Sequence, residues 1–93
     1  MTRYVSEEIC KTALTTWGKQ SQIMMLLEEM SELQKEVLKN VNREQDNVDA
    51  LVEETADVLI MLDQLMDMYH IREEVAKHAA FKVDRIKGYL GIK

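Results

Sequence analysis

The chain has no proline and only three glycines among its 93 residues. Without these breakers little forces the backbone out of helical geometry, and its turns must be few and built from polar residues. There is one cysteine, Cys10, so no internal disulfide framework exists, in keeping with a reducing cytosol. No histidine lies near Cys10 in sequence, and the residue reads as a small core hydrophobe rather than a nucleophile. Positive charge is also scarce. The net charge of −5 excludes a general electrostatic attraction for a nucleic acid polymer or for anionic lipid. A phosphorylated ligand would have to be met by a bound cation or a local basic patch. No apolar run approaches the roughly 18 residues that span a bilayer. The opening residues, Met1 to Glu8, lack the apolar stretch of a signal peptide. A cytoplasmic protein without a membrane partner is expected.

What is present favours helix. Apolar residues make up 46% of the chain, enough for a packed core. Ala, Leu, Met, Glu, Lys and Gln are abundant, and all are good helix formers. The length suits one domain, residues 1–93, whose modest core gains from a partner. The expected fold is all-α, an antiparallel bundle of about four helices completed by oligomerisation.

The first helix is expected over Glu7–Thr16, with Ser6 as N-cap, Glu7 and Glu8 at the positive end of the dipole, and Gly18 as the break. The second is expected over Lys19–Lys39. Its stripe is Ile23, Leu26, Leu27, Met30, Leu33, Val37 and Val41, at three-and-four spacing. Asn40 to Asn47 reads as the connecting loop, with Asp46 or Asn47 capping the next helix. The third is expected over Val48–Met68, burying Val48, Leu51, Val52, Thr55, Leu59, Leu62 and Met66. Val58 to Leu62 is apolar on nearly every side, so this turn is expected to face a second subunit as well as its own core. The fourth is expected over Arg72–Lys87, ending near Gly88, with Ile71, Val75, Ala79, Val83 and Ile86 as its stripe.

Two acidic segments resemble each other. One reads Glu28-Glu29-Met30-Ser31-Glu32 and the other Glu53-Glu54-Thr55-Ala56-Asp57. At about 100° per residue, positions i and i+3 share one side of a helix. Glu29 and Glu32 therefore project together, as do Glu54 and Asp57, and both pairs border apolar stripes. Antiparallel packing of the second and third helices would bring four carboxylates to the edge of one core. Such a cluster repels itself, so its members raise one another's pKa or take up a cation. Hard oxygen ligands suit Mg²⁺, or Mn²⁺ in its place, and Mg²⁺ favours sites shared with phosphate oxygens. A di-iron carboxylate bundle would need Glu-x-x-His, and neither His70 nor His78 follows a glutamate by three residues. The competing reading is that glutamate-rich helices are solvated faces.

Glu29-x-x-Glu32, 21 intervening residues and Glu54-x-x-Asp57 together resemble the signature of the MazG-like nucleotide pyrophosphohydrolases, in the all-α NTP pyrophosphatase superfamily. Trp17-Gly18-x-x-x-Gln22 also looks like the lead-in to the first acidic helix of small MazG-like proteins. The resemblance covers roughly Trp17 to Lys87. It implies a helical protomer that forms a homo-oligomer, dimer or tetramer. It also implies Mg²⁺-dependent hydrolysis of nucleoside triphosphates to monophosphate and pyrophosphate, clearing noncanonical or excess nucleotides. Carried over by position, Glu29, Glu32, Glu54 and Asp57 would be the metal ligands and catalytic residues. Glu28 and Glu53 point about 100° away from their neighbours and are weaker candidates for a general base.

Four further residues are candidates for substrate binding. Trp17 could stack on a base, although a lone tryptophan more often fills core space. Gln22 shares a helical face with Met25, Glu29, Glu32 and Glu36, two turns from the first ligand. Lys82 and Arg85 share a face and, with Lys87, could receive the outgoing pyrophosphate. Basic residues late in a helix also simply complement its dipole. Phosphoribosyl-ATP pyrophosphohydrolase is the related alternative, and a non-enzymatic helical dimerisation or adaptor protein is the alternative of another class.

Overall fold

The computed structural model describes residues 3–43 and 45–93, leaving Met1, Thr2 and Glu44 outside the described residues. Four helices follow one another: α1 (Glu7–Trp17), α2 (Lys19–Arg43), α3 (Val48–Tyr69) and α4 (Arg72–Leu90). No strand occurs among the described residues. Among them, too, no helix is long and apolar enough to cross a membrane.

Local chemistry sets the first boundaries as expected. The Ser6 hydroxyl accepts from the Ile9 amide at 3.2 Å, with Glu7 and Glu8 in the first turn. Gly18 separates α1 from α2 at φ 85°, a conformation that side chains with a Cβ rarely adopt. The turn between α3 and α4 uses no glycine. His70 takes the left-handed conformation at φ 55° instead; its amide donates to the Asp67 carbonyl and the Ile71 amide donates to the Met66 carbonyl.

Two helices run past their expected ends. Asn40, Val41, Asn42 and Arg43 continue α2 rather than opening a loop. Side-chain bonds stitch this end down: Asn40 Nδ2 donates to Gln45 O and to Asn47 Oδ1, at 3.3 and 3.0 Å. Asn47 Nδ2 donates to Glu36 O and Glu36 Oε2, at 2.9 and 2.7 Å. Asn47 sits at the N-cap of α3, yet its side chain makes no capping bond because it is committed to α2. At the other end of the chain, Gly88 stays helical and Gly91 closes α4 at φ 71°.

The main body is the α2–α3 hairpin, with α1 laid across it. Pairings along the hairpin show that it is antiparallel: Glu36 meets Asn47, Glu29 meets Glu54 and Asp57, and Lys19 lies 4.3 Å over the Tyr69 ring. The seam differs from the one the apolar stripes suggest. On α3 the buried residues are Val58, Met61, Asp63 and Gln64, while Val48, Val52 and Thr55 are exposed and Leu59, Leu62 and Met66 are half-buried. The inward direction of Val58, Met61 and Gln64 is rotated roughly a third of a turn from the expected stripe. On α2, Gln22 and Leu26 are buried, whereas Leu27, Met30, Val37 and Val41 are exposed. Both helices are rolled so that mixed faces meet: on α2 Leu26 stays buried and Ile23 and Leu33 half-buried, while Val48 and Val52 of α3 lie open.

The N-terminal segment and α4 are fixed by a clasp that the sequence reading missed. Asp63, only 1% exposed, accepts from the Tyr4 and Val5 amides through Oδ2, at 2.6 and 3.0 Å. Its Oδ1 accepts from Arg72 Nη1 at 2.8 Å. One turn on, Asp67 Oδ1 accepts from Arg3 Nη2 at 2.6 Å and from Arg72 Nη2 at 3.0 Å. Burial alone would push both carboxyls up, but the arginines, and at Asp63 the two amides, hold them below the ordinary aspartate range. Cys10 is buried beside this clasp, and burial followed by the Asp67 charge pushes its thiol up. A protonated buried thiol fits the reading of a core residue.

Candidate metal centre

Midway along the hairpin, α2 presents Glu29 and α3 presents Glu54 and Asp57. One carboxylate oxygen of each lies within 4.8 Å of the others, and all three side chains are half-buried. The roll of the two helices brings this about. The three acids stand on the meeting faces, with Gln22, Leu26 and Leu33 along α2 and Val58, Met61 and Gln64 along α3. They are therefore nearer the seam than the border position expected of them.

Electrostatics mark the cluster as unfinished. Burial pushes the Glu29 carboxyl up, and the charges of Asp57 and Glu54 push it further. Glu54 Oε2 is buried without a hydrogen-bond partner. Among the described residues, no lysine or arginine forms a salt bridge with any of the three. A buried carboxylate oxygen without a donor is costly, and a cation is one way to satisfy it. The donors are all oxygen, which matches a hard divalent ion such as Mg²⁺ or Mn²⁺ and disfavours zinc or iron. Glu29, Glu54 and Asp57 fit such an ion.

The other expected site residues are placed differently. Glu32 is exposed and stands outside the three-carboxylate group. Gln22 is buried at 2% exposure, one face with Glu29, and its Nε2 has no partner. Gln64 on the facing helix is likewise buried, with Oε1 unpartnered. Gln64 was not anticipated; a glutamine with Met61, Leu65 and Met68 at its neighbouring helical positions was the available signal. Trp17 is 59% exposed at the end of α1, so it does not fill the core. Lys82 and Arg85 stand on the outer part of α4, which makes no contact with α2. Arg85 lies 5.9 Å from the Phe81 ring of its own helix. Within one protomer neither basic residue is brought to the carboxylates. His70 and His78 are exposed.

Two concavities lie elsewhere. One, of about 440 Å³, runs between α1 and the α3–α4 turn and includes both arginines of the clasp. Another, of about 460 Å³, is an apolar notch between α3 and α4, lined by Leu59, Leu62, Leu65, Met66, Ile71 and Val75 among others. The carboxylate cluster lines neither. The chain matches no family model, no curated protein and no solved structure.

Proposed function

We propose that this protein is a Mg²⁺-dependent nucleoside triphosphate pyrophosphohydrolase, a cytoplasmic homo-oligomer that converts NTPs or dNTPs to monophosphates and pyrophosphate. The observation that carries the reading is the meeting of Glu29, Glu54 and Asp57 across the hairpin, with Glu54 Oε2 buried and unpartnered. The spacing of the two acidic motifs, which resembles the MazG-like signature, supports it from the sequence side.

Glu29, Glu54 and Asp57 would hold the ion, and Glu32, exposed one turn further along α2, is the remaining candidate ligand. When bound, the ion supplies Lewis-acid charge to phosphate oxygens and acidifies a water at the α-phosphorus. The chain's own residues do the rest. The rigid α2–α3 pair fixes the carboxylates on regular helix rather than on loops, which keeps their spacing. The buried Gln22 amide sits two turns from Glu29 on the same face, with a free donor for a substrate oxygen. Trp17, exposed at the end of α1, is free to stack on a base. With a net charge of −5 the chain as a whole offers no electrostatic attraction for a polyphosphate, which gives a bound cation its use.

The test is a panel of NTPs, dNTPs and phosphoribosyl-ATP assayed for pyrophosphate with Mg²⁺ and with Mn²⁺. Release from one or more of these, lost in Glu54→Gln at unchanged helical content, is the expected result. A Glu54→Gln protein as active as the parent would remove the ligand assignment. No release from any substrate, with no response of the melting curve to Mg²⁺, would leave the helical adaptor as the better account.

A further inference from the structure

We infer that Gln22 and Gln64 form an amide pair that holds the pairing edge of a nucleobase, two turns from the carboxylates at the phosphate end. The inference rests on the nucleotide reading above and adds a base subsite to it.

Both glutamines are buried, at 2% and 9% exposure. Gln22 Nε2 and Gln64 Oε1 have no hydrogen-bond partner, in each other or elsewhere. Their faces and levels agree. Gln22 stands seven residues before Glu29 on α2, and Gln64 stands seven residues after Asp57 on α3. Seven residues are two turns, so each glutamine shares the face of the acid on its own helix, about 10 Å along the axis. The hairpin is antiparallel, with Glu29 against Asp57 and Lys19 against Tyr69, which sets Gln22 at about the level of Gln64. One amide therefore stands on each side of the seam.

A buried amide atom without a partner forfeits stability. Two glutamines that served only to close the seam would bond to each other, since Nε2 donates and Oε1 accepts. Left apart, they offer one free donor and one free acceptor. The edge of a base carries the complement. It is a carbonyl oxygen beside a ring N–H in uracil and guanine, and a ring nitrogen beside an amino group in cytosine and adenine. Proteins that read a single base bond to this edge. Either amide can turn end for end, so the pair suits all four. The two-turn spacing is also the reach from an α-phosphate to the pairing edge of its base.

Leu26 and Met61 lie between the two levels, and both are buried. They are the side chains that the sugar and ring displace on entry. Methionine is unbranched and flexible, so Met61 gives way at little cost. Trp17, five residues before Gln22, is 59% exposed and is the only tryptophan, so its emission reports on this end of the hairpin.

Equilibrium titration of the full chain in Mg²⁺, by calorimetry and by Trp17 fluorescence, tests this. The probes are the four nucleoside monophosphates, each beside its form methylated at the ring nitrogen of the pairing edge, and inorganic pyrophosphate. The parent should bind at least one monophosphate, at least about tenfold tighter than its methylated form, because a blocked edge strands a buried amide. Gln64→Met, similar in volume, should lose that preference and bind the unmethylated form at least about tenfold more weakly. It should bind pyrophosphate as the parent does, and melt at or above the parent's midpoint, since it removes an unpartnered buried acceptor. Gln22→Met should show the same loss of preference. A parent that binds no monophosphate, or that ignores the methyl group, overturns the inference and leaves the pair holding a water only. Glutamine variants that keep the preference overturn it too. Base-dependent binding without pyrophosphate release from any triphosphate would sink the reaction and keep the pair. Release that survives in Gln64→Met with an unchanged KM would do the reverse.

Discussion

Asp63→Ala is the most informative single perturbation of the fold. Asp63 is 1% exposed and its carboxylate accepts three donors: the Tyr4 amide, the Val5 amide and Arg72 Nη1. Removing it strands the buried Val5 amide and strips Arg72 of one of its two carboxylates. Taking one partner from a buried charge pair costs about 3–5 kcal/mol. A domain of this length has roughly 5–14 kcal/mol in total, so the loss is a large share of stability. At roughly 4–8 °C per kcal/mol the melting midpoint should fall by at least about 12 °C. Asp63→Asn retains an oxygen for one amide but not the charge, and should fall between parent and alanine. The assay is helical circular dichroism against temperature at fixed protein concentration. Acid adds an independent check. The folded pKa of Asp63 and of Asp67 lies below the ordinary value. Their stabilisation is therefore complete above the unfolded pKa of about 3.9 and disappears as pH falls through the lower folded value. Asp63→Ala should lose less stability than the parent across that acid range. An alanine variant within about 0.5 kcal/mol of the parent, the size of an ordinary surface change, would refute the clasp as a structural element.

Other outcomes follow from the same geometry. Mg²⁺ at a hundred times its dissociation constant should stabilise the chain by about 2.7 kcal/mol, read as a rise in melting midpoint that EDTA reverses. Glu29→Gln, measured in EDTA, should stabilise the chain by a few tenths of a kcal/mol up to about 1, because it relieves repulsion from Asp57 and Glu54; the same variant should lose most of the Mg²⁺ response. Ser6→Ala should cost about 1 kcal/mol through loss of the Ile9 amide bond at the start of α1, measured by chemical denaturation. Asn47→Ala frees Glu36 and Asn40 together, and faster amide exchange confined to the last turn of α2 and the first of α3 is the expected signature.

The helices were legible because their causes are local. Ser6, Gly18 and the three-and-four spacing act within a few residues, and each boundary they set lies where expected. The ends of α2 and α4 were misjudged for an equally physical reason. Asn40 and Gly88 are poor helix formers in isolation, but Asn40 is held by Gln45 and Asn47, and α4 is closed by Gly91 rather than Gly88. The roll of the hairpin was not legible. Periodicity marks Val48, Val52 and Leu59 as a stripe that wants burial, and it cannot tell burial within a chain from burial against another. The clasp was hidden because Arg3 and Arg72 are far from each other in sequence. Its one visible trace was Asp63 and Asp67, one turn apart beside Leu62, Leu65 and Met66, where solvated acids would be out of place.

The α2–α3 seam joins these observations. Apolar side chains were available to fill it, yet three carboxylates and two glutamines occupy its middle. That arrangement forfeits stability: like charges repel, and Gln22, Gln64 and Glu54 leave buried atoms without partners. The two ends of the seam hold it together, through Asn47 and Glu36 at one and Lys19 over Tyr69, with the Asp63 clasp, at the other. Sequences give up local stability in this way chiefly where a site requires it. A solvated acidic face would need none of this anchoring, since water would satisfy its oxygens and separate its charges. A cation supplied to the middle of the seam would remove the repulsion and partner the Glu54 oxygen at once, so under the proposed reading the residues that weaken the bare hairpin would crosslink it when an ion is bound.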